Sequence, residues 1–230
     1  MKNKTLLIIG GAGRLGAFLT KNLGGLKIIS LDIKRSLSNS KNNKNIILRD
    51  GVMNQHEIIS VARKIPKVDF IISATNVPSK QKDASFSEIY SLLLFPVDLI
   101  LNLIDLKRIK TNGKIIFFGS ANSKFISQRG IWYHICKSSL SIVVRYLALR
   151  LKNINATVNI ISPGIVSYKK NGKILNAEKM NILSKKPVDP KQLLKIVRLL
   201  WECDSINCEE IHINGGYNII DPYHFINKSK

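Results

Sequence analysis

The sequence predicts an α/β protein, a doubly wound parallel sheet of about seven strands with helices on both faces. Three observations predict it. Short apolar runs rich in Ile, Val and Phe recur along the 230 residues, each bounded by Gly, Asp, Asn or Pro. These runs are continuous, not alternating, which fits strands buried on both faces. Stretches with helical periodicity lie between them, and strand alternating with helix is the order that a parallel sheet needs. No Pro/Gly/Ser-rich linker and no repeat divides the sequence, so residues 1–230 read as one domain.

The first strand is TLLIIG (5–10). The start, MKNKTLLII, has the outline of a secretory signal, but its apolar run is too short and passes into GGAGRLG instead of a cleavage site. A helix is expected over 14–23, then strands LKIISLD (26–32) and NIILRD (45–50). The polar stretch KRSLSNSKNNKN (34–45) between these two is expected to be a mobile loop. A helix over 54–64 precedes strand VDFIISA (68–74), and a long helix over 85–108 precedes strand GKIIFFGS (113–120). The long helix contains SLLLFPVDLILNLI, where Pro96, Asp98 and Asn102 argue for a buried helix over a membrane span. Helix 131–152, strand NATVNIISPG (155–164), helix 189–202 and strand EEIHINGG (209–216) complete the series.

The formal net charge is +21, with a pI near 10.0. Such a balance invites a nucleic-acid or membrane partner. The lysines are scattered, however, and no dense basic block interleaves with aromatics, so neither partner is expected. Two other readings stay open: a Lys-, Asn- and Ile-rich compositional bias, or a field that steers an anionic substrate. Cys136, Cys203 and Cys208 are sparse and lack metal-ligand spacing, as do His56, His212 and His224. Neither a disulfide framework nor a metal site is expected, and the cytoplasm is the natural compartment.

GGAGRLG directly follows the first strand and opens the first helix, with glycines at Gly10, Gly13 and Gly16. Such a loop lets backbone N–H groups approach a pyrophosphate at a helix N-terminus. Gly10, Gly13, Arg14, Leu15 and Gly16 are the candidate contacts, with the Arg14 side chain either on a phosphate or in solvent. Asp32 ends the second strand candidate, where a carboxylate accepts from ribose hydroxyls and repels a 2′-phosphate. That favours NAD, with NADP the alternative because Lys34 and Arg35 follow at once. The competing reading makes Asp32 a plain turn residue. Asp50 ends the third strand candidate, either facing the adenine amino group or as an ordinary strand-end residue.

Ser120 ends the fifth strand candidate, on the edge of a parallel sheet where ligands bind. Tyr133 follows thirteen residues later and Lys137 four after that, one helical turn apart. Pro163-Gly164 ends the sixth strand candidate, and Asn214-Gly215-Gly216 follows the last.

With these residues in this order, the chain resembles the short-chain dehydrogenase/reductase family from Thr5 to about Tyr217. The resemblance rests on Gly10–Gly16, Asp32, Asp50, Ser120, Tyr133-x-x-x-Lys137, Pro163-Gly164 and Asn214-Gly215-Gly216. It implies an NAD(P)-binding domain of the Rossmann type that interconverts an alcohol and a carbonyl on a small-molecule substrate. It implies Ser120, Tyr133 and Lys137 as the catalytic set. It further implies cofactor contacts from Ala74, Tyr133, Lys137, Pro163 and Gly164, and pairing of long helices into homodimers or homotetramers. A phenol titrates near about 10, and a neighbouring ammonium and a cationic nicotinamide both lower that value. Ser120 would hold the substrate oxygen as charge builds on it.

The chain departs from the family pattern in three places. The glycine spacing is that of longer members, with Arg14 where short members have a glycine. Ser73-Ala74-Thr75-Asn76 stands for the usual Asn-Asn-Ala-Gly. Leu93 or a neighbour takes the position of the catalytic asparagine, and Asn102 falls two turns too late. That asparagine helps to hold a water linked to the lysine, so the proton relay is expected to differ. A non-catalytic nucleotide-binding protein on the same fold is the alternative function.

The segment after Gly164 carries Lys169, Lys170, Lys173, Lys179, Lys185 and Lys186. These either surround a cleft for an anionic substrate or form a solvated loop. Ser167 is the candidate for a nicotinamide-carboxamide contact. His134 is expected to serve packing or an interface, Cys136 to be a buried apolar residue, and Trp132 and Phe125 to line the cleft or the core.

Overall fold

The structure, a computed structural model, describes residues 3–34, 43–49, 52–76, 86–126, 130–167, 182–184 and 186–217. Asp50, Arg35, His224 and the lysines 169, 170, 173, 179 and 185 lie outside the described residues, as does most of the polar stretch 34–45.

Seven parallel strands form one sheet: β1 (Thr5–Ile9), β2 (Lys27–Asp32), β3 (Asn43–Ile47), β4 (Val68–Ser73), β5 (Ile109–Phe118), β6 (Thr157–Pro163) and β7 (Glu210–Ile213). Their spatial order is β3-β2-β1-β4-β5-β6-β7. The chain leaves β3 at one edge and returns beside β1, so the strand order reverses between β1 and β4. Ligands of open α/β sheets bind at such a point, beyond the carboxyl ends of the strands.

Alternate residues of each strand feed two cores. Leu7, Ile9, Ile29 and Leu31 face helices α2 (Gln55–Lys64), α4 (Phe95–Asp105) and α5 (Ile131–Leu151). Leu6, Ile8, Ile28 and Ile72 face α1 (Arg14–Asn22) and α6 (Pro190–Glu202). Two-sided burial explains why the strands read as unbroken apolar runs. On the second face Phe70 stacks on Trp201 with ring centroids 4.3 Å apart.

Three boundaries differ from the sequence expectation. β3 starts at Asn43, so Asn43, Lys44 and Asn45 are strand and not loop. An edge strand has one neighbour, and β2 supplies pairing that polar side chains do not oppose: Ile28 meets Asn43 and Asp32 meets Ile47. β5 starts at Ile109, four residues early, and a register shift between Val68 and Phe70 accommodates the addition. The helix expected over 85–108 is three pieces: α3 (Phe86–Ile89), a π-helical turn (Tyr90–Leu94), and α4. Pro96 lacks an N–H and its ring crowds the preceding turn. The chain widens just before it, and the Phe95 N–H donates to the Tyr90 carbonyl five residues back.

Local signals set the other ends. Asn54 caps α2 in a capping box, accepting from the Glu57 N–H while the Glu57 carboxylate accepts from the Asn54 N–H. Asp189 caps α6, with Pro190 in its first turn. Among the described residues no helix is long and apolar enough to cross a membrane, and no cluster of His, Cys, Asp or Glu could hold a metal ion.

Candidate active site

The loop between β1 and α1 is built around glycine. Gly10 has φ +83°, and a Cβ there would lie 3.0 Å from the Ala74 and Thr75 backbone. A Cβ on Gly16 would sit 2.2 Å from the Gly10 carbonyl oxygen, so the helix can approach the strand only without one. Gly13 is the N-cap of α1, and its carbonyl takes the Ala17 N–H at 2.8 Å. The N–H groups of Arg14, Leu15 and Gly16 belong to the first turn, which has no intrahelical acceptors. This end of α1 carries no acidic residue in its first turn, and the Arg14 side chain is exposed. The arrangement suits an anion.

Asp32 faces this loop. Its Oδ2 accepts from the Ala12 N–H at 2.9 Å, and its Oδ1 accepts from the Lys34 N–H at 3.2 Å. The carboxylate is therefore fixed beside the glycine loop. Ala74, buried just past the end of β4, presents its backbone to Gly10 and brings no polar side chain of its own. A dinucleotide fits these residues: a cradle that any Cβ would fill, a helix N-terminus for phosphate, and a fixed acceptor one strand away.

The second cluster lies beyond β4, β5 and β6. Lys137 is buried in α5, 5% exposed, and its Nζ donates to the Phe118 carbonyl at 2.9 Å and to the Thr75 carbonyl at 3.5 Å. The same Nζ is 6.0 Å from the centroid of the half-buried Tyr133 ring. Phe118 ends β5, two residues before Ser120, so Lys137 docks the first turns of α5 onto the strand that delivers Ser120. Ser120 has extended backbone, φ −160° and ψ 150°, and caps a 3-10 turn over Ala121–Ser123. Its Oγ accepts from the Asn122 N–H at 3.2 Å. Pro163 ends β6 alongside, where the Gly164 N–H donates to the Ile213 carbonyl at 2.9 Å. A Cβ on Gly164 would lie 2.8 Å from that of Asn214.

The structure thus brings Ser120, Tyr133, Lys137, Pro163 and Gly164 to one edge of the sheet, with Gly10, Gly13, Arg14, Leu15, Gly16, Asp32 and Ala74 along the adjoining stretch. The turn after Ser120 has anchors that the sequence alone did not reveal. His134, expected to serve packing or an interface, is 4% exposed, and its Nδ1 lies 3.1 Å from the Asn122 carbonyl. With that carbonyl as acceptor, Nδ1 carries the proton. Ser138 Oγ donates to the Ser123 carbonyl at 3.0 Å. Glu210 of β7 takes the Ser123 hydroxyl at 2.6 Å. The one available signal was an acidic residue inside the apolar run EEIHI.

Other residues have structural roles. Asn102 donates to the Asp98 carbonyl within α4. Cys136 is 1% exposed, as expected of a small apolar residue, and burial pushes its thiol up from its ordinary value. Leu93 lies in the π-helical turn, packed against the core. Phe125 meets Tyr217 edge-on at 5.0 Å, whereas Trp132 is 43% exposed. The Ser167 backbone N–H donates to the Val188 carbonyl at 2.9 Å, and Lys186 is exposed.

A parallel sheet with this strand order and a glycine turn at its reversal defines a dinucleotide-binding domain of the Rossmann type. Residues 60–218 match the family model described as enoyl-(acyl carrier protein) reductase. The fold is similar to that of a short chain dehydrogenase family protein from Francisella tularensis, with a TM-score of 0.78 and 21% identity over 95% of this chain and 100% of that one. It is also similar to a short chain dehydrogenase from Leptospira borgpetersenii with bound NAD+, with a TM-score of 0.77 and 21% identity over 95% of this chain and 94% of that one. BdcA in complex with NADPH gives a TM-score of 0.74 and 17% identity over 97% of this chain and 98% of that one. No curated protein matches the sequence. The chain belongs to the short-chain dehydrogenase/reductase family, a family of NAD(P)-dependent oxidoreductases.

Proposed function

We propose that this chain is an NAD(P)-dependent oxidoreductase that interconverts an alcohol and a ketone or aldehyde, with Ser120, Tyr133 and Lys137 as its catalytic set. The observation that carries the reading is the seat of Lys137. A buried ammonium on two strand-end carbonyls, one helical turn from a tyrosine, places a fixed positive charge beside a phenol. General acid–base catalysis needs a side chain that can pass a proton at the reacting oxygen, and Tyr133 takes that role here. Tyr133 gives the proton to the substrate oxygen in reduction and takes it back in oxidation. The Ser120 hydroxyl donates to the same oxygen and stabilises its developing charge. A bound nicotinamide supplies the hydride.

The cofactor is held by Gly10, Gly13, Arg14, Leu15, Gly16, Ala74, Pro163 and Gly164, and Asp32 selects NAD over NADP. The Leptospira relative, with NAD+ bound, and BdcA, in complex with NADPH, are consistent with either nucleotide. The Asp32 carboxylate, oriented by two backbone N–H groups, supports NAD. The exposed apolar face of α5, with Ile131, Ile135, Ile142 and Leu149, supports pairing with a second copy as a homodimer or as half of a homotetramer.

The test is a fluorescence titration with NADH and NADPH. NADH binding at least tenfold tighter supports the Asp32 assignment, and Asp32→Ala then narrows the gap. Tighter NADPH binding assigns the pocket to its cations. Binding of neither nucleotide favours a non-catalytic role, a reading supported by the apolar Leu93 in the π-helical turn.

A further inference from the structure

Glu210 is a carboxylate at the start of the edge strand β7, with a side chain only 13% exposed. Burying a charge there is costly unless it is paired and hydrogen-bonded. Its Oε1 accepts from Ser123 Oγ and from Ser162 Oγ, each at 2.6 Å. Those are the lengths of charge-assisted O–H···O⁻ bonds. Lys124 Nζ is 3.5 Å from Oε2, and His212 Nε2 is 3.7 Å from Oε1.

The two serines belong to different parts of the active edge. Ser123 closes the turn that starts at Ser120, and its N–H donates to the Ser120 carbonyl at 3.0 Å. Ser162 is fully buried and precedes Pro163-Gly164. It also limits the approach of β5, since a Cβ on Gly119 would lie 2.3 Å from Ser162 Oγ. One oxygen of Glu210 therefore joins the segment that carries Ser120 to the segment that ends at Gly164. His134 and Ser138 hold the turn from the α5 side, and Glu210 holds it from the β7 side.

We propose that Glu210 is a positioning residue for the carbonyl–alcohol reaction, fixing through Ser123 and Ser162 the turn from which the Ser120 hydroxyl reaches the substrate oxygen. This rests on the role given to Ser120 above. Burial pushes the Glu210 carboxyl up, but the Ser123 and Ser162 hydroxyls, with the charges of His212 and Lys124, outweigh it and hold the group below its ordinary value. A carboxyl with a depressed folded pKa keeps its contribution above the ordinary glutamate range and loses it only as acid protonates the folded form. The clamp is thus fully formed at neutral pH.

The experiment compares wild type, Glu210→Ala, Glu210→Gln, Ser120→Ala and the Ser120→Ala/Glu210→Ala pair. Two readouts are taken on each protein: NADH oxidation with a vicinal diketone as probe carbonyl, and amide hydrogen exchange over residues 119–126. Glu210→Ala is expected to lower kcat about tenfold to a hundredfold, the scale of a small misplacement, with the KM for NADH unchanged. Exchange over 119–126 rises while that over 14–22 does not. Glu210→Gln keeps an acceptor for both hydroxyls and recovers most of the rate. In the Ser120→Ala background Glu210→Ala costs nothing further, because the positioned group is gone. The same loss in both backgrounds, or wild-type kcat and exchange in Glu210→Ala, overturns the proposal. Should the diketone not turn over, exchange alone decides, and unchanged protection over 119–126 overturns it. Wild-type turnover in Ser120→Ala would instead overturn the role of Ser120, a result distinct from failure of the Glu210 clamp.

Discussion

The two stretches of the active edge are built by opposite means. Beside β1 and β2 the site is made by leaving atoms out: Gly10, Gly13 and Gly16 let backbone meet backbone, and at Gly10 the backbone it meets is that of Ala74 and Thr75. Beside β4, β5 and β6 it is made by side chains: Lys137 on two carbonyls, His134 and Ser138 on the turn after Ser120, and Glu210 on two hydroxyls. The first stretch offers N–H groups and shape, which suit a phosphate-linked nucleotide. The second offers a phenol, an ammonium and a hydroxyl, which suit a reacting oxygen. The first should therefore break when a carbon is added, and the second when an oxygen or nitrogen is removed.

The largest expected effect is in the second stretch. Tyr133→Phe deletes one oxygen and leaves the ring in place, its centroid 6.0 Å from Lys137 Nζ. Loss of a general acid–base group lowers kcat by about 10²–10⁴, while the NADH dissociation constant should stay within a few-fold of wild type. Steady-state rates and a fluorescence titration on the same sample measure both. A kcat close to wild type would remove Tyr133 from the reaction.

The first stretch should respond in the other parameter. A β-carbon on Gly16 meets the Gly10 carbonyl oxygen at 2.2 Å and the Gly11 Cα at 2.7 Å, backbone atoms that can yield only by moving the loop. Gly16→Val should weaken NADH binding by about tenfold or more, a change of ~1.4 kcal/mol. Gly24, just past α1, supplies the control, since a Cβ there meets nothing within 4 Å. Gly24→Ala should bind NADH as wild type does. Equal losses in both variants would mean that the loop does not depend on the close approach of α1.

The same contrast explains what the sequence made legible. The strand and helix series was readable because two-sided burial leaves unbroken apolar runs, and because stretches with helical periodicity lie between them. The glycine loop was readable because glycine is needed at fixed offsets within one short segment. Tyr133 and Lys137 were readable because one helical turn relates them. The anchors of the Ser120 turn were not, since Glu210 is 87 residues from Ser123 and 48 from Ser162, and no local pattern links them. β3 began early for a related reason: its partner β2, not its own polar residues, decides where pairing starts. The π-helical turn was hidden because Pro96 signals a disturbance without specifying a wider turn in place of a kink.

The smallest effect tests whether the losses at the edge are local. Asn54 lies at the start of α2, and its side chain accepts the Glu57 N–H at 3.0 Å. Asn54→Ala removes that acceptor while leaving the glycine loop, Tyr133 and Lys137 untouched. The expected cost is about 1 kcal/mol of stability, a fall of about 2–4 °C in Tm for a chain of this size, measured by thermal melting. Both kcat and NADH affinity should stay at wild-type values. If this variant lost rate in proportion to its lower Tm, the rate losses of the other variants would reflect weakened packing and not their positions. Unchanged kinetics at a lower Tm would separate the two, because losing a helix cap lowers the stability of the protein without moving a strand end.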